Sequence, residues 1–572
     1  MPPSPPKLRL NLYWHMHQPD YRDLSTGEYV LPWTYLHAIK DYSDMVYHLE
    51  ENPKARVTFN FVPILVEQLL DYKQQFEEND IRDPLLALLV KQNLDDVTNV
   101  DCKLIVESCF KAHHEKMLMP FPHYQRLLNI YQLVEPIMEC DYDFHYLSAQ
   151  YKADLLTWYH LAWCGESLRK ENKDIQMLLV KGVFFSFEDR QKLFEVIKDT
   201  ISNLIPRYKA LMKSGQIEIS TTPYYHPILP LLIDFNSTKD AMPDAPLPEH
   251  KNYSGGVERA QSHIKSAEIY HKKIFGEKPK GMWPAEGAVS HAALSLLAEH
   301  GLSWAATGQG VLAHSLLRCG VELNSKNDYL YQPYKVTNGK EDIVCFFRDD
   351  ELSDKIGFEY SKIHSTQAVE DFIKRLENIY QSNPKKSQVV SVILDGENAW
   401  EYYPYNGYYF LKELYAALAS HPHITMSTFN DIVDLKKAGD FPDIPVLSQI
   451  SAGSWVYGTF STWIGSKDKN AAWDLLCEAK KIYDQVVHKL DADRKAACER
   501  QLAICEGSDW FWWFGDYNAS ESVKSFDQLY RRNLMNLYEL LGQTVPANLY
   551  HEISQGGGNA ENAGTMRRGQ DA

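Results

Sequence analysis

The sequence predicts an α/β protein: a parallel sheet curled into a complete or distorted β/α barrel, with a helical insertion and a C-terminal α-helical domain. Three observations lead there. Short apolar segments near 8–14, 56–61, 216–220, 281–283, 303–307, 343–347, 389–394 and 424–427 alternate with helical patterns, and repeated strand–helix units give parallel strands joined by right-handed crossovers. From about 83 to 213 strand signals nearly vanish and apolar residues recur at helical spacing, as in Leu155, Leu156, Tyr159 and Trp163. From about 465 onward strands disappear again.

In chain order, residues 1–6 are proline-rich and expected to be disordered. Leu8, Leu10, Leu12 and Trp14 alternate with Asn11 and Tyr13, the pattern of a strand, which runs into HMHQP at 15–19. RVTFNF at 56–61 is a second strand, and Pro63 opens the helix after it. Beyond the insertion, the strand at 216–220 leads into YYHPILPLL, a helix spans 257–275, and the short strand at 281–283 ends at PAEGAV. A helix at 291–300 stops at Gly301. Strands at 303–307 and 343–347 follow, the second ending in RDDELSDKIGF.

The stretch 388–404, QVVSVILDGENAWEYYP, then combines an apolar run, read as a buried strand, with Asp395, Glu397 and Glu401 among aromatics. Asn406 is placed to cap the next helix, and 424–427 is the last strand. Helices are expected over 470–504 and 526–541, separated by SDWFWWFGDYN. The expected organisation is a catalytic barrel at 7–440, a mainly helical domain at 441–552 contributing to the site, and a disordered tail at 553–572.

Composition narrows the function. A formal net charge of −17 gives no footprint for nucleic acid or an anionic membrane. No apolar run is long enough to span a bilayer, and the N-terminus has no secretion-signal core. The nine cysteines are scattered with no CxxC pair, which points to reduced thiols and a cytoplasmic location. Aromatics make up 12%, and many sit near charged residues, as sugar sites require, although ordinary cores use them too.

Barrel enzymes place their chemistry at the C-terminal ends of strands. Here those positions, with one aromatic loop, carry His15 and His17, Glu218 and His226, Glu286, Asp395, and the run from Asp509 to Asp516. Taken singly, each has a plain structural reading: a solvated acid, a histidine satisfied in a core, an aromatic run packed inside the helical domain. Two acids facing one pocket suit glycoside hydrolysis, one attacking and one donating a proton. His15 and His17 point the same way along a strand, so they could bond sugar hydroxyls or, with an Asp from another strand, ligate a metal as in polysaccharide deacetylases.

Five motifs in order, HQP at 17–19, GQIEISTTPYYHPILPLL at 215–232, GMWPAE at 281–286, LDGENAWEYY at 394–403 and SDWFWWFGD at 508–516, resemble the motif regions of glycoside hydrolase family 57. RDDELSDKIGF at 348–358 and TWIGSKDKNAAWDLL at 462–476 look like further family segments. The resemblance implies a retaining enzyme acting on α-glucans, with an incomplete, distorted seven-stranded β/α barrel followed by helices and no cofactor or metal. By the same resemblance Glu286 is the nucleophile and Asp395 the general acid/base. His15, His17, Glu218, His226 and Trp283 match substrate-binding positions, and Asp509 and Trp510 match the fifth motif lining the site. The third motif departs from the commoner form in which proline directly precedes the acid. The fourth and fifth look closest to the amylase and amylopullulanase branch and less similar to the branching-enzyme branch; a 4-α-glucanotransferase or branching-type transglycosylase on the same site is the alternative, and a non-catalytic glucan-binding protein a further one. The expected partner is glycogen, starch or a maltodextrin, with α-1,4 or also α-1,6 cleavage left open.

Overall fold

The computed structural model describes residues 6–137, 144 and 146–557. Of the ends expected to be disordered, 1–5 and 558–572 lie outside the described residues; 553–557 are described, with the Ile553 N–H donating to Asp527 Oδ1 at 2.8 Å and Ser554 buried. The strands are β1 (Leu8–Met16), β2 (Val57–Phe61), β3 (Ile217–Thr221), β4 (Gly281–Met282), β5 (Trp304–Thr307), β6 (Tyr334–Thr337), β7 (Asp342–Phe347), β8 (Val389–Asp395) and β9 (Ile424–Met426). They form one sheet in the order β6-β7-β5-β4-β3-β2-β1-β8, with β9 paired to the start of β1. Every pairing is parallel except β6 with β7. The sheet curls but is not closed by a full ladder: where β7 meets β8 there is a single bridge, Arg348 to Ser391. This is the incomplete barrel expected above.

The antiparallel β6 is missing from the sequence reading. Its signal is Asn338-Gly339 between two apolar segments, a hairpin turn, and Gly339 adopts φ +89 there.

Alternation along β1 divides two cores. Leu10, Leu12 and Trp14 face the surrounding helices. Tyr13 faces the barrel interior with Trp283, Trp304, Phe346, Ile393 and Phe429. The helix Phe429–Ala438, whose N-terminus has the Thr428–Asp431 capping box, contributes Phe429, Ile432 and Val433 to that plug. Gly281 allows the Trp304 indole to lie across β4: a Cβ would stand 1.9 Å from it.

Between β2 and β3 the chain is helical, including Ala149–Trp163 and the long Phe187–Lys213. Beyond β9 the helices Lys467–Val486, Ala492–Cys505, Asp509–Trp513 and Ser520–Leu540 form the C-terminal part. The single helix expected over 470–504 is thus two, the second restarted by Asp491, whose side chain accepts from the Arg494 N–H. The cap expected at Asn406 is also displaced. The helix Tyr408–Ala419 is capped by Gly407 in left-handed geometry, and the Asn406 amide instead donates to Asp44 at 2.9 Å.

Candidate active site

Strand register brings the candidates together. His15 on β1 is level with Asn60 on β2 and with Asp395 on β8, and Asn60 is level with Ser220 on β3. Just beyond Asp395, Gly396 lets β8 turn against β1: a Cβ there would meet Met16 Sδ at 2.2 Å. Glu286 follows β4 in left-handed geometry, φ 59 and ψ 22, which costs a non-glycine residue of order 1 kcal/mol or more. The C-terminal chain holds it there. Trp455 N–H donates to the Glu286 carbonyl at 3.1 Å, and Trp455 Nε1 donates to Glu286 Oε2 at 3.1 Å.

These groups line one cavity of about 760 Å³, within the usual range for a small-molecule site. Glu286, Asp395, His15, His17, His226 and Asp509 all reach it. Burial raises the Glu286 carboxyl to about 8, with help from the charges of Asp395 and Asp509. Burial also raises Asp395, opposed by the Asn398 amide that donates to it at 3.0 Å and by His17 and Arg348. Glu397 is also held well above the usual carboxylate range, by burial and by Asp395; its Oε1 accepts the His17 backbone N–H at 3.1 Å. Both carboxyls of the pair are thus held above the usual carboxylate range, and the pair binds a proton more tightly than solvated acids would.

The histidines form a stack. The His17 and His226 rings lie 3.8 Å apart at 21°, and His17 Nε2 bonds Asp509 at 2.9 Å. An aspartate from another element does reach the HMH segment, and His17, His226 and Asp509 bring ligand-type atoms within 4.8 Å of one another. But the stacked rings hold their in-plane lone pairs side by side rather than converging, and both nitrogens of His226 are engaged, with His15 and Ser508. The geometry is that of a hydrogen-bonded stack rather than a ligand set.

Three of the sequence-named residues stand elsewhere. Glu218 is level with Thr58, two residues deeper in the barrel than the His15 layer. It accepts from Trp304 Nε1 at 2.8 Å and from the Asn430 N–H at 3.0 Å, and burial raises it to about 7; it ties the plug helix to β3 and does not line the cavity. Trp283 is fully buried beneath Trp455, ring centroids 5.3 Å apart. Trp510 is packed on Tyr530 at 5.7 Å with its N–H on the Ile504 carbonyl at 2.9 Å. It is Trp512 and Trp513 that face the cavity.

The sequence reading missed Trp455, Ser508, Asn60 and Arg348. Ser508 lay in the fifth motif and Arg348 opened a quoted segment, but Trp455 and Asn60 carry no chemical pattern of their own. Arg348 lines the cavity, donates to the Ile393 carbonyl at 2.9 Å across the open seam, and sits 5.7 Å over the Trp455 ring.

The chain was compared with known proteins. The model of glycosyl hydrolase family 57 matches residues 11–445. A 4-alpha-glucanotransferase of Thermococcus litoralis is 22% identical over 333 residues, 57% of this chain and 41% of that protein, so the match spans about two-fifths of the relative's length. Among solved structures, a family 57 branching enzyme from Thermococcus kodakaraensis superposes with a TM-score of 0.58 at 14% identity, covering 95% of this chain and 93% of that one. An alpha-amylase from Thermotoga maritima gives 0.56 at 14% identity, covering 94% and 93%. These superpositions establish the shared fold, and the family match over most of the chain establishes the lineage: the protein belongs to glycosyl hydrolase family 57.

Proposed function

We propose that this protein is a retaining enzyme that cleaves α-glucosidic bonds of glycogen, starch or maltodextrins by double displacement. The observation that carries the reading is the buried carboxyl pair, Glu286 and Asp395, brought from separate strand ends into one aromatic-walled cavity. Glu286 attacks the anomeric carbon and forms a glycosyl ester while Asp395 protonates the departing glycosidic oxygen. Asp395 then takes a proton from the incoming acceptor, whose oxygen displaces Glu286. At the moment of attack the proton must be on Asp395 and the charge on Glu286.

Stacking of sugar faces on Trp512 and Trp513, and hydrogen bonds from His17 and Asp509, supply binding. The α-1,4 bond is the proposed target, with α-1,6 cleavage as an extension. Water as acceptor gives hydrolysis; a sugar hydroxyl gives transfer, the activity named for the Thermococcus litoralis relative. Among the described residues no helix is long and apolar enough to cross a membrane, and the eight described cysteines are unpaired, which supports a reducing compartment.

Product analysis on maltoheptaose, glycogen and pullulan tests the reading. Shorter α-anomeric products indicate retaining hydrolysis, and products longer than the substrate indicate transfer. No product from any α-glucan would overturn the proposal.

A further inference from the structure

Behind Glu286 runs a file of hydrogen bonds that double displacement does not itself require. Ser508 Oγ lies 3.3 Å from Glu286 Oε1 and 2.8 Å from His226 Nδ1. His226 Nε2 lies 3.1 Å from His15 Nε2, and His15 Nδ1 lies 2.6 Å from Asn60 Oδ1. Asn60, His15, His226 and Ser508 are all buried, so water does not substitute freely for a missing partner.

A hydroxyl has one proton to give, and a neutral imidazole has one donor and one acceptor nitrogen. The direction of one link therefore dictates all the others. With the Asn60 carbonyl toward His15, the His15 proton is on Nδ1, and its Nε2 accepts from His226 Nε2–H. His226 Nδ1 then accepts the Ser508 hydroxyl proton, and Ser508 can only accept from Glu286, which must be a carboxylic acid. With the Asn60 amide nitrogen toward His15, every link reverses and Ser508 donates to a Glu286 carboxylate. Here Asn60 Oδ1 also accepts from Thr222 Oγ1 at 2.9 Å and Nδ2 donates to Ser220 Oγ at 3.1 Å, which is the first arrangement.

We propose that Asn60, His15, His226 and Ser508 act as one relay in which the orientation of the Asn60 amide sets whether Glu286 is held as an acid or as a carboxylate. Asn60 is thus a positioning residue for the nucleophile, acting through two imidazoles. The two arrangements differ by one proton, the one Asp395 must hold when Glu286 attacks; the relay selects the carboxyl that keeps it and carries none itself. Both imidazoles are suited to the task because they stay neutral. Burial and the neighbouring His17 lower His15 to about 3, and burial with His17 and His15 lowers His226 well below its usual value. The charged or titratable groups facing the file are His17, Asp509 and Asp395, and a Ser508 hydroxyl that donates to Glu286, as in the second arrangement, lowers that carboxyl.

The inference rests on Glu286 being the nucleophile and is tested by a double-mutant cycle in the full-length protein. Asn60→Ala and Ser508→Ala are each expected to lower kcat/KM on maltoheptaose about 10-fold or more. If they belong to one relay, the double variant falls no more than about threefold below the worse single one, whereas independent sites would multiply to about 100-fold. Ser508→Thr, which keeps the hydroxyl, is expected to recover most of the loss. Multiplicative losses in the double variant would overturn the relay while leaving the function standing; no turnover by the wild-type protein would overturn the function. The same cycle scored on the unfolding midpoint tests the relay apart from turnover, because a cooperative network is non-additive there too. Asn60→Ser takes the place of Asn60→Ala if the latter does not fold.

Discussion

Replacing Trp455 by phenylalanine tests the site most directly, because it removes one hydrogen-bond donor and keeps a ring. Trp455 Nε1 donates to Glu286 Oε2 at 3.1 Å, while its backbone bond to the Glu286 carbonyl survives the change. A hydrogen bond to a charged acceptor is worth about 1.5–3 kcal/mol and one to a neutral acceptor about 0.5–1.5. The carboxylate therefore loses roughly 1–1.5 kcal/mol more than the acid, which raises the Glu286 pKa by about one unit. If the full charged bond is present at attack, kcat/KM falls about 10- to 150-fold.

The assay is the initial rate of new reducing ends from maltoheptaose across roughly pH 5–9, with the slope at low substrate giving kcat/KM. The limb that reports Glu286 ionisation should move to higher pH. The reasoning is refuted if the profile keeps its position and only KM rises, because Trp455 would then be a stacking surface with no hold on Glu286.

Other outcomes follow from the same geometry. Glu286→Gln should abolish turnover with the far-ultraviolet circular dichroism unchanged. It should also alter stability with a definite sign. Glu286 titrates near 8 in the folded protein against an ordinary value of 4.5, so its contribution is present below about 4.5 and is lost as pH rises through about 8; the wild-type unfolding midpoint should fall across that window more steeply than that of the variant. Glu218→Gln should lower the unfolding midpoint, because an amide nitrogen would face either the Trp304 or the Asn430 donor at a cost of about 1–3 kcal/mol. Its kcat and KM should stay within about twofold, since its side chain is outside the cavity; a selective loss of kcat would contradict that placement. Trp512→Ala should raise KM for maltoheptaose about 10-fold, equivalent to about 1.4 kcal/mol of binding, with a smaller change in kcat; an unchanged KM measured by progress curves would remove Trp512 from the binding surface.

Much of the fold was legible because its signals are local. Strand–helix alternation marked the barrel, the loss of strand pattern marked the insertion and the C-terminal helices, and the apolar run of β8 placed Asp395 at a strand end. Glu286 was legible for the same reason, as the acid following a short strand. β6 went unread although Asn338-Gly339 announces a hairpin, because it is an antiparallel edge strand outside the strand–helix alternation that marked the others.

What the tertiary structure alone decided is depth and neighbourhood. Period-two alternation says which side chains face inward, but it does not say how far down the barrel they sit. Glu218 and Ser220 share a face of β3, yet only Ser220 stands in the layer of His15 and Asn60, and Glu218 serves the plug beneath. Helical twist likewise separates Trp510 from Trp512 and Trp513 within one aromatic run, turning the first into the core and the others toward the cavity. Trp455 and Ser508 reach Glu286 only because chain from far beyond β4 folds back over it. Their partners are separated by 169 and 222 positions, and no local pattern records a contact at that range. The amino-acid order thus named the two carboxyls proposed to react, and the packing of distant segments decided which groups surround them.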